Sequence, residues 1–205
     1  MSMLAMTLGF SLRTEGQQYV PRTGPALLIA NHQSFIDTVP IGLAARRHLV
    51  YLARRTLFDS RFLAWIMHSL NAIPINQEGF AREGLKAILE QLQQGQAVLI
   101  FPEGQRTSDG KLQPLRPGIH LLIKRVDMPI IPVGIAGAFA AWPRTQLLPR
   151  LAPLMCAPWE GTVGVSIRPP IASSHFANMP RERVMDELLF ELQKAKDRAE
   201  QVRRR

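Results

Sequence analysis

The chain has 205 residues, of which 46% are apolar and 20% charged, a balance that suits one packed core and excludes wholesale disorder. A lone Cys156 and the lack of any Cys/His cluster at zinc spacing exclude a disulfide framework and a zinc module. Twenty-five Lys and Arg against sixteen Asp and Glu give a net charge of +9, which points to an anionic membrane face, a phosphorylated substrate or nucleic acid. Nucleic acid fits least, because aromatic residues are only 7% and no helix-turn-helix or RNP-like motif is present.

In chain order, a strand is expected around residues 8–14, and Ala26–Ala30 (ALLIA), 49–53 (LVYLA), Ala72–Ile75 and 97–101 (AVLIF) read as further strands. Residues 130–135 (IIPVGI) and 162–167 (TVGVSI) complete the set. Several are apolar throughout, as strands covered on both faces are. Residues 57–70 suit a largely buried helix and 118–126 a short one. Between 81 and 92, Ala81, Leu85, Ile88, Leu89 and Leu92 recur at helical spacing, with Gly95 as the stop signal. Near the end, Val184, Leu188, Leu192, Ala195, Ala199 and Val202 form one stripe on a helix whose other face is charged, suited to packing across the sheet edge.

This alternation predicts an α/β fold: a single layered domain over residues 1–205, a mostly parallel central sheet flanked by helices, and an amphipathic C-terminal helix over 181–205. The longest nearly apolar stretch, 128–142, is broken by Pro129, Pro132, Gly134 and Gly137 and falls short of the ~20 residues of a membrane span. The N-terminus lacks the basic-then-apolar layout of a signal peptide, so a soluble or surface-bound intracellular protein is expected.

In such sheets, reactive groups gather where strands end and loops begin. Directly after ALLIA stands Asn31-His32-Gln33-Ser34-Phe35-Ile36-Asp37. Five helical residues turn through about 500°, so His32 and Asp37 would not share a helix face. They can meet if His32 occupies the strand-to-helix turn and the helix begins near Ser34, with Asp37 reaching back to the imidazole. Ser34-x-x-Asp37 equally fits a capping box, in which the carboxylate serves only the helix start, and a lone histidine is often structural.

After AVLIF stands Phe101-Pro102-Glu103-Gly104-Gln105-Arg106-Thr107. Pro102 and Gly104 end the strand and let backbone approach a ligand closely. Arg106 presents a fork of donors suited to phosphate, with Glu103 beside it; a solvated turn is the plain alternative for both. A phosphate-binding P-loop fails on count, since five residues separate Gly104 from Gly110-Lys111 and Leu112 stands where Ser or Thr would be needed.

An Asn-His-x-Ser-x-x-Asp turn about seventy residues before Phe-Pro-Glu-Gly-x-Arg-Thr resembles the glycerolipid acyltransferase family, most of all its bacterial 1-acylglycerol-3-phosphate (lysophosphatidic acid) acyltransferases. The resemblance runs from about Gly24 to Ile171. Two weaker blocks, Ala72-Ile73-Pro74-Ile75-Asn76 and Pro129-Ile130-Ile131-Pro132-Val133, support it, and Leu115-Arg116-Pro117-Gly118 is similar to the family's basic-then-Gly turn. Two features depart from the pattern. Gln77 stands where the family usually has Arg, a phosphate contact that Arg54, Arg55 or Arg82 would have to replace. The family's usual N-terminal membrane helices are also not expected here, because the first strand is expected to begin within about ten residues.

The resemblance implies that His32 is the general base on the acceptor hydroxyl and that Asp37 orients it. It also implies that Arg106, with Arg116 second, holds the acceptor phosphate, that Glu103 orients Arg106 or a glycerol hydroxyl, and that Gly104 permits close approach. The donor would be acyl-CoA or acyl carrier protein as co-substrate, with no metal or other cofactor because a thioester is already activated. A lysophospholipid acceptor lives in a bilayer, so an anionic membrane surface is an expected partner and the cytoplasmic face of a membrane the expected place. Two stretches could dock there, 44–61 with Arg46, Arg47, Arg54, Arg55 and Arg61, and 142–159 with its two tryptophans. As alternatives there remain the same chemistry on glycerol 3-phosphate, a lysophospholipid with a head group or a lyso-aminolipid, and a non-catalytic lipid- or carrier-binding protein. Cys156 and Ser34 are weak candidates for a covalent nucleophile.

Overall fold

A computed structural model describes residues 9–75, 80–143, 146, 148–150 and 159–205, with backbone alone for residues 80–82. Its strands are Arg13–Glu15 (β1), Ala26–Ala30 (β2), Leu49–Arg54 (β3), Ala72–Ile75 (β4), Ala97–Ile100 (β5), Ile130–Ala136 (β6) and Gly164–Ile167 (β7). They form one seven-stranded sheet in the order β1-β7-β6-β2-β5-β3-β4. The five strands from β6 to β4 are parallel, β7 runs antiparallel to β6, and β1 pairs parallel with β7. The mostly parallel sheet expected from the alternating pattern is therefore present, with its two edge strands on one side reversed.

The apolar runs of β2 and β6 are explained by burial on both faces, since every residue in each is buried. On one face, helices Thr38–Ala45 (α1) and Arg61–Ser69 (α2) cover a core containing Leu28, Ile41, Ala44, Met67, Leu99 and Val133. On the other, Phe80–Gln93 (α3), Gly118–Ile123 (α4) and the long C-terminal helix enclose Leu27, Ile29, Leu92, Val98, Ile123 and Leu188. Short helices Ala138–Ala141 (α5) and Ser173–Phe176 (α6) precede that last helix, Arg181–Arg203 (α7).

The stripe on α7 is fully legible in the fold: Val184, Leu188, Leu192, Ala195, Ala199 and Val202 are the residues it buries. The helix lies over the face of β6, β7 and β1 rather than only across an edge. Its close approach depends on two glycines. A Cβ on Gly134 would stand 1.9 Å from the Ala195 carbonyl oxygen, and one on Gly164 2.3 Å from that of Ala199.

Several element boundaries differ from expectation for local reasons. Gly9 and Phe10 are helical, and Ser11 turns the chain with a left-handed φ of 48° before β1 starts at Arg13. The helix expected over 57–70 is split into a 3₁₀ turn, Arg55–Phe58, and α2, with Asp59 and Ser60 between them. It is not largely buried either: Met67 is its one buried residue, while Phe62 and Trp65 are each 68% exposed. Finally, α4 ends at Ile123, three residues early.

Candidate active site

β2 and β5 are adjacent and parallel, pairing Ala26 with Ala97 through Ile29 with Ile100, so the loops that follow them leave the sheet side by side. That register brings the two sequence motifs together at the C-terminal end of the sheet. Asn31 fixes the first loop. Its side-chain amide donates to the Ile135 carbonyl at 3.0 Å and its oxygen accepts the Ile135 N–H at 2.8 Å, a two-point clamp onto β6 where β2 ends.

His32 follows in the turn, its side chain 20% exposed. Its Nδ1 lies 2.8 Å from Asp37 Oδ2. The helix begins at Thr38, later than expected, with Asp37 at the N-cap position. The same Oδ2 accepts the backbone N–H of Gln33 at 2.6 Å and of Ser34 at 2.8 Å. Asp37 therefore engages the imidazole and holds the turn ahead of the helix, whereas its side chain caps no amide of the helix itself. It is fully buried, and its Oδ1 has no hydrogen-bond partner among the described residues. Three donors on one carboxylate oxygen fix the ring's orientation, with Nε2 as the nitrogen that Asp37 does not engage. The Ser34 hydroxyl donates to the Trp142 carbonyl at 2.8 Å, which ties it to the scaffold.

The second loop is bound to the first by backbone as well as side chains. Phe101 stacks on the His32 ring, with centroids 4.0 Å apart and planes 15° off parallel. The Thr107 N–H donates to the His32 carbonyl at 2.9 Å. Glu103, 2% exposed, spans the turn: Oε1 accepts the His32 N–H at 2.6 Å and Oε2 the Gln113 N–H at 2.7 Å. Burial raises its carboxyl above the usual range; those two N–H bonds and the neighbouring imidazole pull it part of the way back, and the Asp37 charge pushes it up. Each Glu103 oxygen is thus directed at a main-chain donor instead of at Arg106.

Arg106 sits half-buried next to Thr107, with its guanidinium carbon 5.9 Å from the centre of the Phe35 ring, a cation–π arrangement on the loop that carries His32. Gly104 takes a left-handed φ of 70°, and a Cβ there would meet Arg116 Cγ at 2.9 Å. Its lack of a side chain admits the Arg116 stem across the turn. Arg116 is held in turn by its N–H on the Pro102 carbonyl at 2.7 Å. All six sequence-predicted site residues (His32, Asp37, Glu103, Gly104, Arg106 and Arg116) therefore belong to one pair of interlocked loops.

Sequence reasoning assigned no role to Asn31, Phe101 or Gln113. Asn31 and Phe101 flank the chemistry-bearing residues in both motifs, which was the available signal; a main-chain N–H such as that of Gln113 leaves no trace in residue type. Cys156 and Gln77 lie outside the described residues, as does the side chain of Arg82.

The arrangement is a buried carboxylate, an imidazole whose Nδ1 it engages, and two arginines on the second loop, which is bound to the His32 turn. Residues 11–136 match the model of the family described as Acyltransferase. A 1-acyl-sn-glycerol-3-phosphate acyltransferase of Bacillus subtilis is 22% identical over 133 residues, 64% of this chain and 66% of that protein. One of Helicobacter pylori is 28% identical over 116 residues, 54% of this chain and 48% of that protein. The chloroplastic enzyme of Brassica napus is 25% identical over 126 residues, 60% of this chain and 36% of that protein. The chain thus spans about a third to two thirds of the length of these relatives. The crystal structure of the 1-acyl-sn-glycerophosphate (LPA) acyltransferase of Thermotoga maritima shares the fold, with a TM-score of 0.72 and 23% identity, covering 95% of this chain and 73% of that one. With a family model matched across more than half its length, the chain belongs to the Acyltransferase family.

Proposed function

We propose that the protein transfers a fatty acyl group from a thioester to the free hydroxyl of 1-acylglycerol 3-phosphate, making phosphatidic acid. The observation that carries the proposal is the His32–Asp37 pair, with Nδ1 committed to a buried carboxylate at 2.8 Å and Nε2 left to a substrate. An alcohol is almost wholly protonated at neutral pH, whereas imidazoles as a class titrate near 6.5, so a positioned histidine can accept the proton as the new bond forms.

In the step proposed, the acceptor oxygen attacks the thioester carbonyl carbon while His32 Nε2 takes the hydroxyl proton. The tetrahedral intermediate then collapses, the C–S bond breaks, and the proton passes from the imidazolium to the departing thiolate. Asp37 holds the tautomer and faces the positive charge that develops on the ring. A base placed in this way contributes about 10²–10⁴-fold. No protein-bound acyl group is needed, and Ser34 is engaged with Trp142.

Arg106 is assigned to the acceptor phosphate, with Arg116 across Gly104 as the second cation. Glu103 acts as a positioning residue, because its two oxygens tie the His32 turn to the Gln113 backbone. The donor thioester is acyl-CoA or acyl carrier protein, and the acceptor is reached at an anionic membrane face. The names of the relatives in Bacillus subtilis and Helicobacter pylori support the choice of acceptor.

The test is a transfer assay in which the purified chain meets lysophosphatidic acid, glycerol 3-phosphate, a head-group lysophospholipid and a lyso-aminolipid, each with acyl-CoA and with acyl carrier protein. Phosphatidic acid as the main product from one or both donors is expected. Transfer to another acceptor in preference would move the assignment, and no transfer from either thioester would overturn it.

A further inference from the structure

Helix α2 carries an apolar surface that the described residues leave uncovered. Phe62 and Trp65, both large and both 68% exposed, lie on one face with exposed Arg61, His68 and Ser69. At ~100° per residue these five positions fall within about 120° of helix surface. The opposite face is spent on the core, through Ile66, Met67 and Leu70. A soluble surface gains nothing by showing Phe and Trp side by side, and such patches mark binding sites.

Charge and position select the occupant. Arg55 and Arg61 are exposed at the start of this segment, and residues 54–61 hold three arginines against Asp59 alone. Aromatic side chains flanked by arginine suit the headgroup level of an anionic bilayer, where the rings enter the acyl boundary and the cations meet lipid phosphates. The 3₁₀ turn and the first turn of α2 follow the C-terminal end of β3, the end of the sheet that holds His32. β3 is separated from β2 by β5 alone, two strand spacings or ~10 Å. By contrast Arg47, within the stretch expected to dock, is bound to the Pro21, Gly24 and Gly95 carbonyls at 2.8, 2.6 and 3.0 Å, at the opposite end of the sheet. Of the second stretch expected to dock, most lies outside the described residues. Among the described residues, no helix is long and apolar enough to cross a membrane.

We infer that α2 is an interfacial helix that seats the protein on an anionic bilayer through Phe62 and Trp65, with Arg55 and Arg61 on the lipid phosphates. The inference deepens the proposed function, which places the acceptor in a bilayer, yet it is read without turnover.

The experiment is flotation of the full chain with vesicles of phosphatidylcholine alone or with added phosphatidylglycerol, containing neither acceptor nor donor, at low and high salt. The wild type is expected to float with the anionic vesicles. Phe62→Ser/Trp65→Ser should lower its partition by about tenfold or more, and Arg55→Gln/Arg61→Gln by a similar factor at low salt with little effect on neutral vesicles. Circular dichroism and the urea midpoint should match wild type for both, as the four side chains are exposed. His32→Ala should float like wild type, which separates membrane binding from the acyl-transfer proposal. Equal partition of the aromatic double variant would overturn the inference. So would a change in its sedimentation from dimer to monomer without a change in flotation, because a second copy would then be the occupant.

Discussion

At Asp37, one oxygen serves three donors, and the cost of changing it can be argued from them. An asparagine at this position would keep an acceptor but lose the charge that faces the imidazole. Asp37→Asn should lower kcat about 10²-fold or more with KM little changed, read in the transfer assay. A rise in KM alone would mean that the carboxylate only holds the turn. Glu103 makes a different case. Its folded-state carboxyl is raised above 4.5 by burial, so the native protein holds that proton at a pH where the unfolded chain has lost it. Stability should therefore decline as pH rises from the ordinary value through the raised one. Glu103→Gln should flatten that slope in urea midpoints measured from pH 4 to 7, while lowering kcat, because an amide group would face one of the two N–H donors. An unfulfilled buried donor costs about 1–3 kcal/mol. Both motifs were legible at this scale because histidine, carboxylate and arginine in order after two strands are rare combinations. Glu103's attachment to main chain was not, because the sequence does not say which backbone groups will be left over.

The elements were read well where apolar periodicity was strong and poorly where a few residues decide a break. The α7 stripe was correct to the residue, since the sheet face it covers demands six buried positions at that spacing. Its seat on two glycines was invisible, because Gly134 and Gly164 within apolar strands look merely weak until a helix backbone lies on them. Gly134→Ala should destabilise by about 3 kcal/mol or more, since backbone must move to admit the methyl group. A change below about 1 kcal/mol in urea unfolding would show that α7 shifts freely. At the other edge of the same helix, Glu15 of β1 receives Arg198 Nε at 2.6 Å and Nη2 at 2.8 Å, and the Ser166 hydroxyl at 3.0 Å. Burial alone would raise its carboxyl, but those bonds and the charges of Arg198 and Arg205 outweigh it and hold it below the usual range. The bridge is partly exposed, so its contribution is at most about 1 kcal/mol. Glu15→Gln should lose that amount at pH 7. The difference should vanish as pH drops below the usual carboxylate value through the depressed one. An undiminished difference at low pH would assign the loss to packing. For 57–70, the apolar count suggested burial, whereas Asp59 and Ser60 end the 3₁₀ turn and rotate Phe62 and Trp65 outward.

Across the whole molecule, strand order is what assembles the site. Parallel pairing of β2 with β5 is the step that carries residues 31–37 to residues 101–107, and alternation of strands with helices predicts such pairing without fixing which strands are neighbours. The reversed β7 and β1 were not foreseen, as an antiparallel edge leaves the same apolar runs. The positive charge of the chain resolves into separate uses: Arg47 closes the far end of the sheet, Arg198 and Arg203 join α7 to its neighbours, and Arg106 and Arg116 lie on the loop after β5, against Phe35 and Gly104. The central claim is that His32 removes the acceptor proton. Its most direct test is the turnover number of His32→Ala with 1-acylglycerol 3-phosphate and acyl thioester, beside a circular dichroism spectrum that matches wild type. A loss of at least about 10²-fold is expected; transfer at the wild-type rate by the folded variant would contradict the claim.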